Sequence, residues 1–152
     1  GPLEDLAEEY QQKWDRYLSD SRYVLLDECK ETLEELHRRE IKLGIASNRF
    51  GNPSPFLKSD SILSLMDSVE YTAVPGYKKP SPFMLLKVAD DLGINPRRCV
   101  YVGNYVQYDV EAAIRAEMKP ILITWCNPEE KDNAPPDTLI IDHIRELLDL
   151  LK

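Results

Sequence analysis

The sequence predicts an α/β fold: a parallel sheet with helices on both faces and an amphipathic helix appended at the N-terminus. Three observations predict it. Short apolar runs alternate with segments of helical period along the chain, and strand–helix–strand connections of that kind are right-handed crossovers in a parallel sheet. Glycines punctuate the elements, Gly93 closing a helical run and Gly103 ending a strand-like one. The length, 152 residues, suits one domain with a full core.

Each element follows from its residues. Between Leu3 and Leu18, the apolar residues Leu3, Leu6, Ala7, Tyr10, Trp14, Tyr17 and Leu18 recur every three or four positions and make one helical face. Residues 3–20 are therefore read as the appended helix and 21–152 as the α/β core. RYVLLD predicts a first strand, and ECKETLEELHRR a helix with Leu33 and Leu36 inward and Asp27 as N-cap. IKLGIAS is the second strand. A turn at GNPSP leads to FLKSDSILSLM, helical or irregular, and SVEYTAV is the third strand. The loop PGYKKPSP precedes a helix over FMLLKVADDL. CVYVG is the fourth strand, DVEAAIRAEM a helix and PILITW the fifth strand; a Pro/Asn/Asp loop then leads to TLIID and a last helix ending near Leu151.

Composition removes several function classes. With 27 acidic against 19 basic residues the net charge is -8, so the field repels polyanions, and neither nucleic acid nor anionic membrane is an expected partner. No apolar run is long enough to span a bilayer and no signal peptide is evident, so the expectation is a soluble cytoplasmic protein. Cys29, Cys99 and Cys126 are odd in number and widely spaced, which argues for reduced thiols rather than a disulfide frame or zinc site.

In a parallel α/β sheet, ligands gather at the carboxyl ends of the strands. Ser47 and Asn48 end one strand, offering a hydroxyl and backbone N–H groups to an oxyanion. Lys79 supplies a cation, held by Pro80 in an extended loop. Asn104 and Asp109 flank the exit of the fourth strand. A hydroxyl, a lysine and an acidic loop on one edge suit a phosphate group and Mg²⁺, which takes one or two carboxylates together with water and substrate phosphate. Asp109 also reads as the N-cap of the helix that follows it.

The order and spacing of these pieces resemble the haloacid dehalogenase superfamily, over roughly Ser21 to Lys152. Ser47 in KLGIASN matches its second motif, Lys79 in KKP its third, and VGNYVQYDVEAA its fourth. The resemblance implies a Rossmann-like core and phosphatase-type chemistry, in which an aspartate attacks phosphorus, Mg²⁺ bridges nucleophile and phosphate, and lysine and serine neutralise the oxygens. It implies catalytic positions at Ser47 and Lys79, phosphate contact at Asn48 and metal ligation at Asp109 and Asn104.

The family's first motif, Asp-x-Asp at the end of the first strand, has no counterpart in the sequence. The nearest candidate nucleophile is Asp27 in LLDEC, with Cys29 in place of the acid/base carboxylate. RYVLLDECKETLEELHRREIKLGIASN also resembles the return from a cap domain into the core. On that reading helix 3–20 is a cap remnant or an interaction helix, and the nucleophile strand lies upstream. A central strand position then needs an occupant: RYVLL itself, an exchanged segment of a second molecule, or another polypeptide.

The expectation is a phosphatase-type hydrolase domain that is incomplete or catalytically impaired. The alternative is a non-catalytic module that binds a small phosphate-bearing ligand or a protein. A homodimer, or a partner that completes the sheet, is expected.

Overall fold

A computed structural model of the chain describes residues 4, 5, 8, 9, 12 and 27–152. Helix α1 (Asp27–Arg38) buries Leu36 and Thr32 and ends on His37 and Arg38, basic residues that suit the negative end of its dipole. Strand β1 (Gly44–Asn48) pairs in parallel with β2 (Ser68–Thr72), Gly44 opposite Ser68 and Asn48 opposite Thr72. Between them run α2 (Ser54–Ser59), which starts after Pro53, and a 3₁₀ turn at Leu63–Leu65. Helix α3 (Phe83–Leu92) buries Met84, Leu85, Val88 and Ala89, positions spaced to make one face. It stops at Gly93, whose φ of 68° is the left-handed conformation that a residue without Cβ adopts at least cost.

Strand β3 (Val100–Gly103) pairs in parallel with β4 (Lys119–Ile123), and β4 with β5 (Leu139–Ile141). A π-helical turn, Val106–Val110, runs from β3 into α4 (Glu111–Arg115), and the short α5 (Leu147–Leu150) closes the chain. Helices cover both faces. On one, Leu85 and Ala89 of α3 meet Ala112 and Ala113 of α4, with Ala46 and Tyr101 packed against them. On the other, Leu36 meets Ile121, Ile141 and Leu147. Leu36 is 2% exposed, and truncating such a core leucine to alanine costs about 2–5 kcal/mol. Helices α1 and α5 lie side by side: Glu28 approaches His143 and Arg145 just beyond β5, while the Arg39 guanidinium donates to the carbonyls of Leu148 and Leu151.

The α/β class with parallel strands and flanking helices matches the expectation. Among the described residues there are two sheets, β1–β2 and β3–β4–β5. Asp67 N donates to Leu43 O and Arg49 N to Thr72 O, so the odd-numbered residues of β1 bond toward β2. The even-numbered ones, Gly44, Ala46 and Asn48, direct their backbone groups the other way. A cavity of about 500 Å³ lies there, lined by Gly44, Ile45 and Ala46 of β1, Val100 and Tyr101 of β3, and Val88 of α3.

Other boundaries moved. The predicted strand RYVLLD lies outside the described residues up to Asp27, whose backbone is already helical. The apolar face of the N-terminal helix, Leu3, Leu6, Ala7, Tyr10, Trp14, Tyr17 and Leu18, also lies outside them, whereas Glu4, Asp5, Glu8, Glu9 and Gln12 are helical and exposed. Leu33 is only half-buried, the inward position being taken by Thr32, whose hydroxyl donates to Glu28 O at 2.7 Å. The Lys79 loop is a run of turns with a cis Lys79–Pro80 peptide, not extended chain. No described helix is long and apolar enough to cross a membrane.

Candidate functional site

The carboxyl end of β1 carries Ser47 and Asn48, and the asparagine organises what approaches it. Lys79 N donates to Asn48 Oδ1 at 2.7 Å and Asn48 Nδ2 donates back to Lys79 O at 2.9 Å. This two-way clasp ties the β2–α3 loop to the strand end and sends the lysine side chain inward. There the ammonium donates to Asp109 Oδ1 at 2.7 Å and to the Tyr101 hydroxyl at 2.6 Å.

Lys79 and Asp109 are 8% and 5% exposed, and charges so far from water are retained only when paired and hydrogen-bonded. Asp109 is fully engaged: Oδ1 takes Lys79, and Oδ2 accepts from the backbone N–H of Asn104 and of Tyr105, each at 3.0 Å. Gly103 makes room for this. A Cβ there would lie 2.2 Å from Asp109 Cβ, inside any tolerable contact. Tyr101 donates to Ala46 O at 3.0 Å, and its hydroxyl lies 3.5 Å from Asp109 Oδ1. Burial, then the adjacent Asp109 charge, holds its phenol well above the usual tyrosine range.

The residues singled out from sequence therefore meet different fates. Lys79 and Asp109 come together as an ion pair. Asp109 does not cap α4: that helix has no side-chain cap, and the carboxylate turns back to the N–H groups at the end of β3. Ser47 is half-buried, and its hydroxyl makes no hydrogen bond among the described residues, which leaves it free for a ligand. Asn48 spends its side-chain amide on the Lys79 backbone. Asn104 joins the site through its backbone N–H; its side-chain amide nitrogen lies 3.8 Å from Cys126 Sγ. The side chain of Asp27 lies outside the described residues.

These donors do not by themselves make a Mg²⁺ site. Asp109 has both oxygens committed, and no group of three His, Cys, Asp or Glu residues that could hold a metal occurs among the described residues. A divalent ion here would need a further carboxylate.

Two residues escaped the sequence reading. Tyr101 looked like one more apolar strand residue in CVYVG; its signal was a hydroxyl two positions before the glycine. Arg49 follows Asn48 directly, its guanidinium lying 5.2 Å from the Phe56 ring centroid and its Nε buried without a hydrogen-bond partner. Exposed aromatics stand in the segments that follow β1, β3 and β4: Phe50, 75% exposed, Tyr105, Tyr108 of the π-helical turn, and Trp125, 55% exposed.

Residues 2–123 match the family model of haloacid dehalogenase-like hydrolases. The chain belongs to this family. It is 29% identical over 160 residues to the phosphoglycolate phosphatase of Salmonella typhimurium, and 29% identical over 161 residues to that of Escherichia coli K12, each match covering 99% of this chain and 61% of the relative. The chain thus spans about three fifths of the length of these relatives. Among solved structures, a haloacid dehalogenase phosphatase from Thermococcus onnurineus superposes with a TM-score of 0.74 at 26% identity, covering 84% of this chain and 58% of that one. A subfamily IA hydrolase from Geobacter sulfurreducens gives 0.68 at 30% identity, covering 84% and 61%. A hydrolase from Entamoeba histolytica, at 22% identity, shares the fold with a TM-score of 0.77 over 94% of this chain and 66% of that one. Within this haloacid dehalogenase-like core, Ser47 at the end of β1 and the Lys79–Asp109 pair lie toward the strand ends at which parallel α/β sheets receive ligands.

Proposed function

We propose that the chain is a phosphatase-type core that receives a small phosphate-bearing ligand at the carboxyl ends of β1 and β3 and, as a lone chain, does not turn it over. The observation that carries this reading is that Asn48, next to the unpartnered Ser47 hydroxyl at the end of β1, clasps the backbone of the buried Lys79 at the strand edge where α/β sheets receive ligands. Ser47 would donate to a phosphate oxygen, the backbone N–H of Asn48 would add to it, and Lys79 would supply positive charge. Hydrolysis needs a carboxylate nucleophile and a second carboxylate to protonate the leaving group, and the sequence has no Asp-x-Asp. Without that acid/base group, turnover falls by about 10²–10⁴-fold.

The missing carboxylates would arrive on a strand paired between β1 and β3, bringing with them the ligands a Mg²⁺ ion requires. The cavity between the two strand edges supports a second reading, a protein-binding module whose gap takes a partner's strand. The two readings differ in whether phosphate binds before the gap is filled.

Inorganic phosphate or tungstate should raise the melting temperature of the isolated chain, by about 2.7 kcal/mol of stability at 100 times Kd. Ser47→Ala should remove most of that gain, because it touches no internal hydrogen bond. The chain should show no Mg²⁺-dependent turnover of p-nitrophenyl phosphate. An unchanged melting temperature at millimolar anion favours the protein-binding module, and turnover at an ordinary enzymatic rate, abolished by Asp27→Asn, overturns the inactivity.

A further inference from the structure

Among the described residues, one hydrogen bond joins the strands of the two sheets directly: Tyr101 of β3 donates to Ala46 O of β1 at 3.0 Å. The same hydroxyl accepts from Lys79 Nζ at 2.6 Å. A phenol has one proton, and Ala46 O takes it, so the oxygen meets the Lys79 ammonium as an acceptor. Ala46 is one of the residues whose backbone groups face the gap, and its carbonyl would otherwise meet the edge of whatever strand lay there. The tyrosine therefore stands where two things meet: the separation of the sheets and the position of the buried ammonium.

We propose that Tyr101 is the positioning residue for Lys79, coupling the spacing between β1 and β3 to the cation of the candidate phosphate site. The proposal rests on the phosphate-site reading above for its functional meaning, but not for its geometry. Lys79 has two partners for its ammonium, Asp109 and Tyr101, and only the tyrosine also reaches β1. Among the described residues, Asp109, which follows β3, reaches no residue of β1. With the hydroxyl anchored on Ala46 O, the ammonium is held between the strands. A strand entering the gap would offer its own N–H to Ala46 O. The tyrosine proton would then turn to the other acceptor in reach, Asp109 Oδ1 at 3.5 Å, and occupancy of the gap would change the hydrogen bonding around Lys79.

The test uses the whole chain with nitrogen-15-labelled lysine. In the wild type the Lys79 ammonium should give a resonance protected from solvent exchange, with a cross-peak to a slowly exchanging Tyr101 hydroxyl proton. Tyr101→Phe keeps the ring and removes the hydroxyl. It should broaden the Lys79 resonance beyond detection and weaken tungstate binding about tenfold, the loss of one charge-assisted hydrogen bond. A Phe variant that melts lower yet keeps the Lys79 resonance and binds tungstate within twofold of wild type would reduce Tyr101 to a packing residue and overturn the proposal. Where the Phe variant does not fold, the wild-type cross-peak decides, its absence counting against the proposal. Failure of tungstate to bind the wild type retires the phosphate reading alone, because the Lys79 resonance still reports the tyrosine contact.

Discussion

Replacing Lys79 by methionine tests how the site is held together. The substitution keeps most of the side chain's bulk and removes the charge, leaving the Asp109 carboxyl group, 5% exposed, with two backbone N–H donors and the tyrosine hydroxyl nearby. Breaking a buried ion pair by removing one partner costs about 3–5 kcal/mol. The two N–H groups place this carboxylate at the lower end, about 3 kcal/mol. For a chain of this size each kcal/mol is worth about 2–4 °C in Tm, so a fall of about 6–12 °C is expected. Asp109→Asn should cost a similar amount by stranding the ammonium. The double variant has no buried charge left unpaired, and its loss should fall about 2 kcal/mol or more short of the sum of the two singles. Urea unfolding at pH 7, with the slopes compared across all four proteins, measures each term. Single losses that add to within about 0.5 kcal/mol would refute the reasoning, since groups 2.7 Å apart in a buried pair must couple.

Gly103→Ala should destabilise the chain by at least as much as Lys79→Met, read by the same unfolding assay, because its new methyl group would displace the Asp109 side chain. Stability should fall as pH rises above 10: the unfolded Tyr101 loses its proton there while the folded one, its pKa raised by burial, keeps it. That slope, up to about 1.4 kcal/mol per pH unit, should shrink in Tyr101→Phe in an alkaline denaturation series. Of the three thiols, Cys126 is exposed, whereas Cys29 and Cys99 are half-buried with their pKa values pushed up by burial, so one fast thiol is expected with a disulfide reagent at neutral pH, lost in Cys126→Ser. We also propose a homodimer at micromolar concentration through the apolar face of Leu3, Leu6, Tyr10, Trp14 and Tyr17. Light scattering should give twice the chain mass, and a monomer mass for the wild type overturns the proposal; a dimer lost on Tyr10→Glu with Trp14→Glu locates the interface.

The strands and helices were legible where one residue type forces the backbone or one face is apolar, as with Gly93 at the end of α3 and the buried Met84–Leu85–Val88–Ala89 face. The site was legible only in part, for a physical reason. A parallel sheet collects at its carboxyl edge whatever follows each strand, so Ser47, Lys79 and Asp109 can each be placed there from sequence. What each binds depends on chain segments thirty residues apart. Asp109 read as a helix cap because an acid before a helical run usually is one. A π turn inserted after β3 carries it instead back over Gly103, where backbone N–H groups and Lys79 claim both its oxygens. Once that pair forms, Asp109 has both oxygens engaged and is not placed to attack a ligand. Among the described residues at the carboxyl end of β1, the Ser47 hydroxyl has no hydrogen-bond partner; it can donate to an anion but not protonate a leaving group. On the reading proposed above, the reactive half of a hydrolytic site would come from a strand between β1 and β3, a position that the periodicity of the described strands and helices does not fill.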